Sequence, residues 1–180
     1  MGKNLIHGDH VSCSRVGGTM RRESARLRRH AQWLDEALGN LPLDPDTDAN
    51  GELSAVIAAS GQALRATAKD LDQAGAVLQR YATELAESHE LGRRAELGVA
   101  TAGLLLDRTR VIEPWGPASA QEAGQRRTKV PEVQARVDLA TAHVGRSRGR
   151  LLREVLRLTE SFSAHSRDAH SARRALPPPR

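Results

Sequence analysis

The sequence predicts an all-α fold: an elongated antiparallel helical hairpin, or coiled coil, followed by a third, basic helix. Three observations predict it. Ile57, Leu64, Leu71, Leu78, Leu85, Gly92, Val99 and Leu106 recur seven residues apart without a slip, the period of a helix that buries one stripe against a neighbour. Strand signals are nearly missing, since no β-branched run alternates and the one Asn50-Gly51 precedes a helical pattern. Proline is absent from Leu53 to Ile112 and gathers with glycine in the flanking segments.

The first helix is expected from Asp9 to about Leu41. Its apolar positions Met20, Leu27, Ala31, Leu34, Leu38 and Leu41 keep helical spacing, with a polar gap at Ser24. Gly17-Gly18 weakens the first turns, which leaves Thr19 as a second candidate N-cap. Gly39-Asn40 with Pro42 and Pro45 ends the helix. An acidic turn follows over 42–51, in which Asp48 or Asn50 can cap the next helix.

The second helix is expected to run unbroken from Leu53 to Ile112, a rod of about 85 Å at the standard rise. Its companion row, Ser60, Thr67, Ala74, Tyr81, Ser88, Ala95 and Ala102, is mostly small, so a neighbouring helix can come close. Glu113-Pro114 ends it, and the Pro, Gly and polar content of 114–129 reads as a linker. The third helix is expected over 130–170. Val130, Val133, Val137, Ala140, Val144, Ser147 and Leu151 keep the heptad, and Val155, Leu158, Phe162 and His165 resume it after a one-residue shift. Residues 171–180, with three prolines, read as a disordered tail. The expected organisation is a hairpin over 1–113, the linker, the basic helix and the tail. The first helix covers only part of the second, so the remaining stripe must pair with the third helix or another chain.

Composition narrows the function. Aromatic residues make up 2% of the chain, namely Trp33, Tyr81, Trp115 and Phe162, too few to line a small-molecule pocket. No Gly-rich phosphate loop, nucleophile elbow or H-E-x-x-H occurs. The expectation is a protein that is not an enzyme and uses no cofactor. Cys13 is the single cysteine, so no intrachain disulfide forms. No apolar run reaches the roughly 20 residues of a membrane span, and residues 1–13 lack a hydrophobic signal core. The expected location is cytoplasmic, with export by a signal-peptide-independent route left open. Net charge is +5, and residues 114–180 alone carry 13 basic against 6 acidic groups. Apart from Lys3, Lys69 and Lys129 every basic residue is arginine, a codon bias pointing to a GC-rich, actinobacterial type of genome.

An early Gly8-Asp9, the pattern RRESARLRRHAQWLDEAL and the run GQALRATAKDLDQAGAVLQRYATELAESHELGRRA resemble the WxG-type helical-hairpin proteins of actinobacterial type VII (ESX) secretion, over about residues 8–112. Two features depart from the family pattern. The turn has no Trp-x-Gly, because Trp33 sits within the first helix and Trp115-Gly116 follows the second. The family's Tyr-x-x-x-Asp/Glu signal meets Leu85 four residues after Tyr81, with Glu84 one position early. The resemblance implies a helical dimer that is secreted or bound to the secretion machinery.

Three residue groups carry candidate chemistry. Asp46, Asp48, Asn50 and Gly51 match positions 1, 3, 5 and 6 of an EF-hand Ca²⁺ loop. Position 12, however, is Ile57 and not a bidentate Glu, and an acidic turn with an Asx cap fits better. His7, Asp9, His10 and Cys13 are ligand types, but close spacing at a chain end does not impose tetrahedral geometry; no metal site is assigned. Arg146, Arg150, Arg153 and Arg157 form one helix stripe suited to phosphates or an acidic surface, although no aromatics interleave to stack bases. The expected function is protein–protein association with a helical partner or a second copy, through Ile57, Leu64, Leu71, Leu78, Leu85, Val99 and Leu106. The alternative is nucleic-acid or anionic-surface binding through the Arg stripe.

Overall fold

The computed structural model describes residues 5–40, 48–116 and 119–175. Five elements follow in order: α1 (His10–Gly39), α2 (Asp48–Thr101), β1 (Leu105–Asp107), β2 (Arg110–Ile112) and α3 (Ala120–Ala175). The fold is all-α, with a two-stranded antiparallel ribbon as the departure. The chain divides into two compact units, Met1–Ser14 with Arg80–Leu151, and Arg15–Gln79 with Leu152–Arg180. Each unit draws on all three helices, so the division follows neither the expected 1–113 hairpin nor its linker.

Local chemistry sets the helix ends. Asp9 caps α1: its Oδ1 accepts from the N–H groups of Val11 at 3.0 Å and Ser12 at 3.1 Å, satisfying two donors that have no helical partner. A hydrogen bond from the Ser12 side chain, together with those backbone donors, holds the Asp9 carboxyl below the ordinary carboxylate value. Thr19, the other candidate cap, lies inside α1 and donates to the Arg15 carbonyl.

The second helix is shorter than expected. Gly103 takes a φ of +64°, and two bonds close the end of α2. Leu104 N–H donates to Val99 O and Gly103 N–H to Ala100 O, both at 3.0 Å. This is a Schellman stop, with Leu104 and Val99 buried together. Leu106 therefore sits on β1 opposite Val111, and not on a helical seam. The ribbon turns through Arg108 and Thr109, with Arg108 at φ +56°.

The third helix starts ten residues earlier than expected from Val130. Ser119 and Glu122 form a capping box in which Glu122 N–H donates to Ser119 Oγ at 3.2 Å and Ser119 N–H to Glu122 Oε2 at 3.0 Å. Pro131 lies inside the helix. At the other end α3 reaches Ala175, so 171–175 of the expected tail are helical, and 176–180 lie outside the described residues.

In the Arg15–Gln79 unit α1 and α2 run antiparallel along rows of small residues. Gly17, Ser24 and Ala31, seven apart, are the buried residues of α1. They match a buried row of Gly61, Ala68 and Gly75 on α2. A Cβ on Gly17 would stand 2.7 Å from Gly75 O, and one on Gly75 would stand 2.6 Å from Gly17 O. Ser24 Oγ donates to Ala68 O at 2.7 Å. The helices thus touch backbone to backbone, and Ile57, Leu64, Leu71 and Leu78, one turn before the small residues, are half-buried beside that contact. The small row is displaced by one residue from the expected Ser60, Thr67 and Ala74.

In the Arg80–Leu151 unit, α2 and α3 enclose Ala95, Val99, Val133 and Val137, closed by Leu104 and Val111 from the ribbon side. A second cluster joins Leu85, Ala140 and Val144 to Ile6 of the N-terminal segment. Fully burying Leu85 stabilises the unit by about 2 kcal/mol. The expected row from Val130 to Leu151 is the packed face of α3 here. Further along, in the other unit, the phase does not shift. Glu154, Leu158, Ser161 and His165 keep the same row, while Val155 is exposed. Ser161 and His165 hold two of these positions because buried Asp70 satisfies them.

Candidate functional site

Two polar layers interrupt the apolar rows. In the Arg80–Leu151 unit, Ser88 is fully buried. Its Oγ donates to Glu84 O at 2.7 Å and meets His143 Nδ1 at 2.9 Å. His143 Nε2 stands 3.8 Å from Glu87, giving the order Ser, His, carboxylate. That order does not make a hydrolytic relay. The nucleophile would be inaccessible, because Ser88 is fully buried. One turn away Arg150 holds Glu84 at 2.9 Å and reaches Ser147 at 3.4 Å. Burial pushes the Glu84 carboxyl up, but donation from Arg150 and Ser147 outweighs it and leaves the group below its ordinary value.

The other unit contains Asp70, 3% exposed. Its carboxylate accepts from Ser161 Oγ at 3.0 Å on both oxygens and contacts His165 Nδ1 at 2.8 Å. Serine and histidine both turn to the carboxylate and not to each other, so no nucleophile–base pair exists. A buried carboxylate is costly without donors; the arrangement favours the α2–α3 register that brings Ser161 and His165 to it. Nothing in the sequence pattern distinguished Asp70. The signal that could have found it is the coincidence of an acid on a seam flank with Ser161 and His165 at seam spacing.

A third constellation is the N-terminal segment, Leu5–Asp9, lying across α2 and α3. Ile6 is buried against Leu85, Ala140 and Val144. The N–H of Leu5 donates to Glu96, and Arg148 donates to His7 O at 2.7 Å. Gly92 makes room, since a Cβ there would lie 2.9 Å from Ile6 Cγ1. Beside this segment a cavity of about 340 Å³ is lined by Leu5, Ile6, His10, His89, Arg93 and Glu96 among others. The His10 and His89 rings meet edge to face at 5.5 Å. His89 Nε2 is buried with no hydrogen-bond partner. Burial, His10, Arg93 and His7 together push the His89 pKa below its ordinary value of 6.5.

The expected site residues are scattered by comparison. Leu85 and Val99 are core residues of one unit, while Ile57, Leu64, Leu71 and Leu78 are half-buried in the other; the expected interaction row serves the chain's own packing. In the Arg stripe, Arg150 is bound to Glu84, and Arg157 to Glu154 and Gln73. Arg146 and Arg153 are exposed with no partner among the described residues. Asp46 lies outside the described residues, and α2 begins at Asp48, so the backbone that an EF-hand would hold as a loop is helical. Of the N-terminal ligand-type residues, Asp9 is committed to its cap and His10 to His89. Among the described residues no three His, Cys, Asp or Glu side chains are grouped to hold a metal ion, and no helix is long and apolar enough to cross a membrane.

The surface also offers an apolar patch. Leu152, Val155 and Leu156 are 63%, 44% and 63% exposed and share one face of α3, turned away from its packed row. The fold is all-α, and its buried Ser88 and Asp70 are committed to internal hydrogen bonds. No family model, no curated protein and no solved structure matches the chain.

Proposed function

We propose that the chain is a non-enzymatic helical protein that associates with a helical protein partner or with a second copy of itself through the outward face of α3. The observation that carries this reading is the exposed trio Leu152, Val155 and Leu156. Isolated exposed aliphatics are ordinary, but three on one helix face form the i, i+3, i+4 anchor pattern that a second helix covers. Burying two leucines of this kind contributes about 3–6 kcal/mol to an interface, enough to set affinity over several decades. The sequence resemblance over 8–112 directs the search first to type VII secretion components. The commitment of Arg150 and Arg157 to acidic and amide partners within the fold weighs against the Arg stripe as the primary surface.

The test is affinity capture from the source organism with wild type and with Leu152→Asp/Leu156→Asp, each with and without nuclease, at two salt concentrations. Both leucines are solvent-exposed, so the double variant keeps its circular dichroism. A stoichiometric protein that survives nuclease and high salt with wild type and is lost with the variant supports the reading. Equal capture by both chains overturns it. Capture that disappears with nuclease or with salt moves the function to Arg146 and Arg153.

A further inference from the structure

We propose that the N-terminal segment Leu5–Asp9 is an acid-released strap, held over the α2–α3 groove at neutral pH and freed when His89 beneath it takes up a proton. This goes beyond the association reading and does not rest on it.

The strap is attached at few points. Ile6 supplies the buried apolar contact, against Leu85, Ala140 and Val144. Two hydrogen bonds fix the backbone, Leu5 N–H to Glu96 and Arg148 to His7 O. Docking depends on absent side-chain bulk on both partners, for a Cβ on Gly92 would stand 2.9 Å from Ile6 and one on Gly8 2.8 Å from Leu85 Cδ2. Leu5, half-buried, packs beside Ile6, and a segment held by two apolar side chains and two polar contacts belongs to the low-stability end of a fold.

His89 lies beneath it, and its surroundings oppose a positive charge. The strap brings His7, α1 brings His10 with its ring edge to face at 5.5 Å, and α2 brings Arg93. From α3, Arg148 reaches the strap at His7 O. The carboxylate lining the same cavity is Glu96, and it already accepts from Leu5 N–H. His89 Nε2 is buried without an acceptor, so an added proton there would be an unsatisfied charged donor. Two responses relieve it: the strap leaves and admits water, or Glu96 turns to the imidazolium and abandons Leu5. Both undo the strap. The sign of the linkage agrees. With the docked pKa of His89 below the ordinary 6.5, the docked form binds fewer protons than the released form. Its stability is therefore complete above about pH 6.5 and falls as pH drops through the lower docked value.

Ile6, Ile57 and Ile112 are the three isoleucines of the chain, which gives a direct readout. Isoleucine δ1-methyl NMR of the full chain is followed from about pH 7.5 to about pH 5, for wild type and for His89→Gln. The expected result is that the Ile6 methyl moves to its unstructured position with a midpoint below 6.5, while Ile57 and Ile112 stay in place. In His89→Gln that transition is absent. An Ile6 signal unchanged across the range refutes the proposal without any variant. So does the same transition in His89→Gln, or a concerted movement of all three methyls, which would report global unfolding.

Discussion

Replacing Gly17 or Gly18 by alanine separates backbone contact from helix propensity at neighbouring positions. Both glycines lie in the interior of α1, and alanine gains about 1 kcal/mol over glycine there. Their surroundings differ. A Cβ on Gly18 meets only the ends of Arg22 and Gln79, at 3.6 and 3.7 Å, which is ordinary contact. A Cβ on Gly17 meets Gly75 O at 2.7 Å, Gln79 Cγ at 3.0 Å and Gln79 N at 3.2 Å. Two of those three atoms are main chain and cannot rotate away, so α1 and α2 must separate. Overpacking of this kind costs about 3 kcal/mol, the upper end of its usual range. The expected outcome is that Gly18→Ala stabilises by about 1 kcal/mol and Gly17→Ala destabilises by about 2 kcal/mol, from the same propensity and packing terms. Urea unfolding followed by far-UV circular dichroism measures both. Gly17→Ala/Gly75→Ala should cost less than the sum of its singles, because one separation relieves both clashes. Shifts of the same sign and size at Gly17 and Gly18 would refute the close backbone contact.

Three further outcomes follow from named contacts. Arg108→Gly removes the strain of a non-glycine residue at φ +56° in the β1–β2 turn and should stabilise the Arg80–Leu151 unit by about 1 kcal/mol, read from thermal unfolding. Asp70→Ala takes the shared acceptor from Ser161 and His165 and should destabilise by about 2–3 kcal/mol in urea; a neutral result would mean the layer contributes nothing to the register. Arg150→Met leaves the Glu84 carboxylate half-buried without its main donor, at about 1 kcal/mol. Because Glu84 has a lowered folded pKa, its contribution is present above about pH 4.5 and lost as pH falls through that lower value. The gap between wild type and variant should therefore close in acid, as measured by unfolding at a series of pH values.

The sequence by itself determined the helical class, the two breaks between helices and the packed row of α3. A seven-residue period needs no tertiary knowledge to be read, and Asp9, Gly39 and the prolines mark ends by local chemistry. Ser119 with Glu122 and Gly103 with Leu104 were equally local signals; they set the true start of α3 and end of α2, and the uninterrupted heptad obscured them. Only the tertiary structure decided which row of α2 meets α1. Periodicity weighs residues by hydrophobicity, whereas the contact at Gly17 and Gly75 is governed by how closely two backbones can approach. Nor could spacing alone assign Asp70, Ser161 and His165 to one packed layer, because a polar residue becomes a seam residue only when a partner far away in sequence arrives to satisfy it. The strap has the same origin. Ile6, Glu96 and Arg148 are remote along the chain, and His89 becomes a charge-sensitive group only when folding gathers His7, His10 and Arg93 around it and takes its nitrogen out of water.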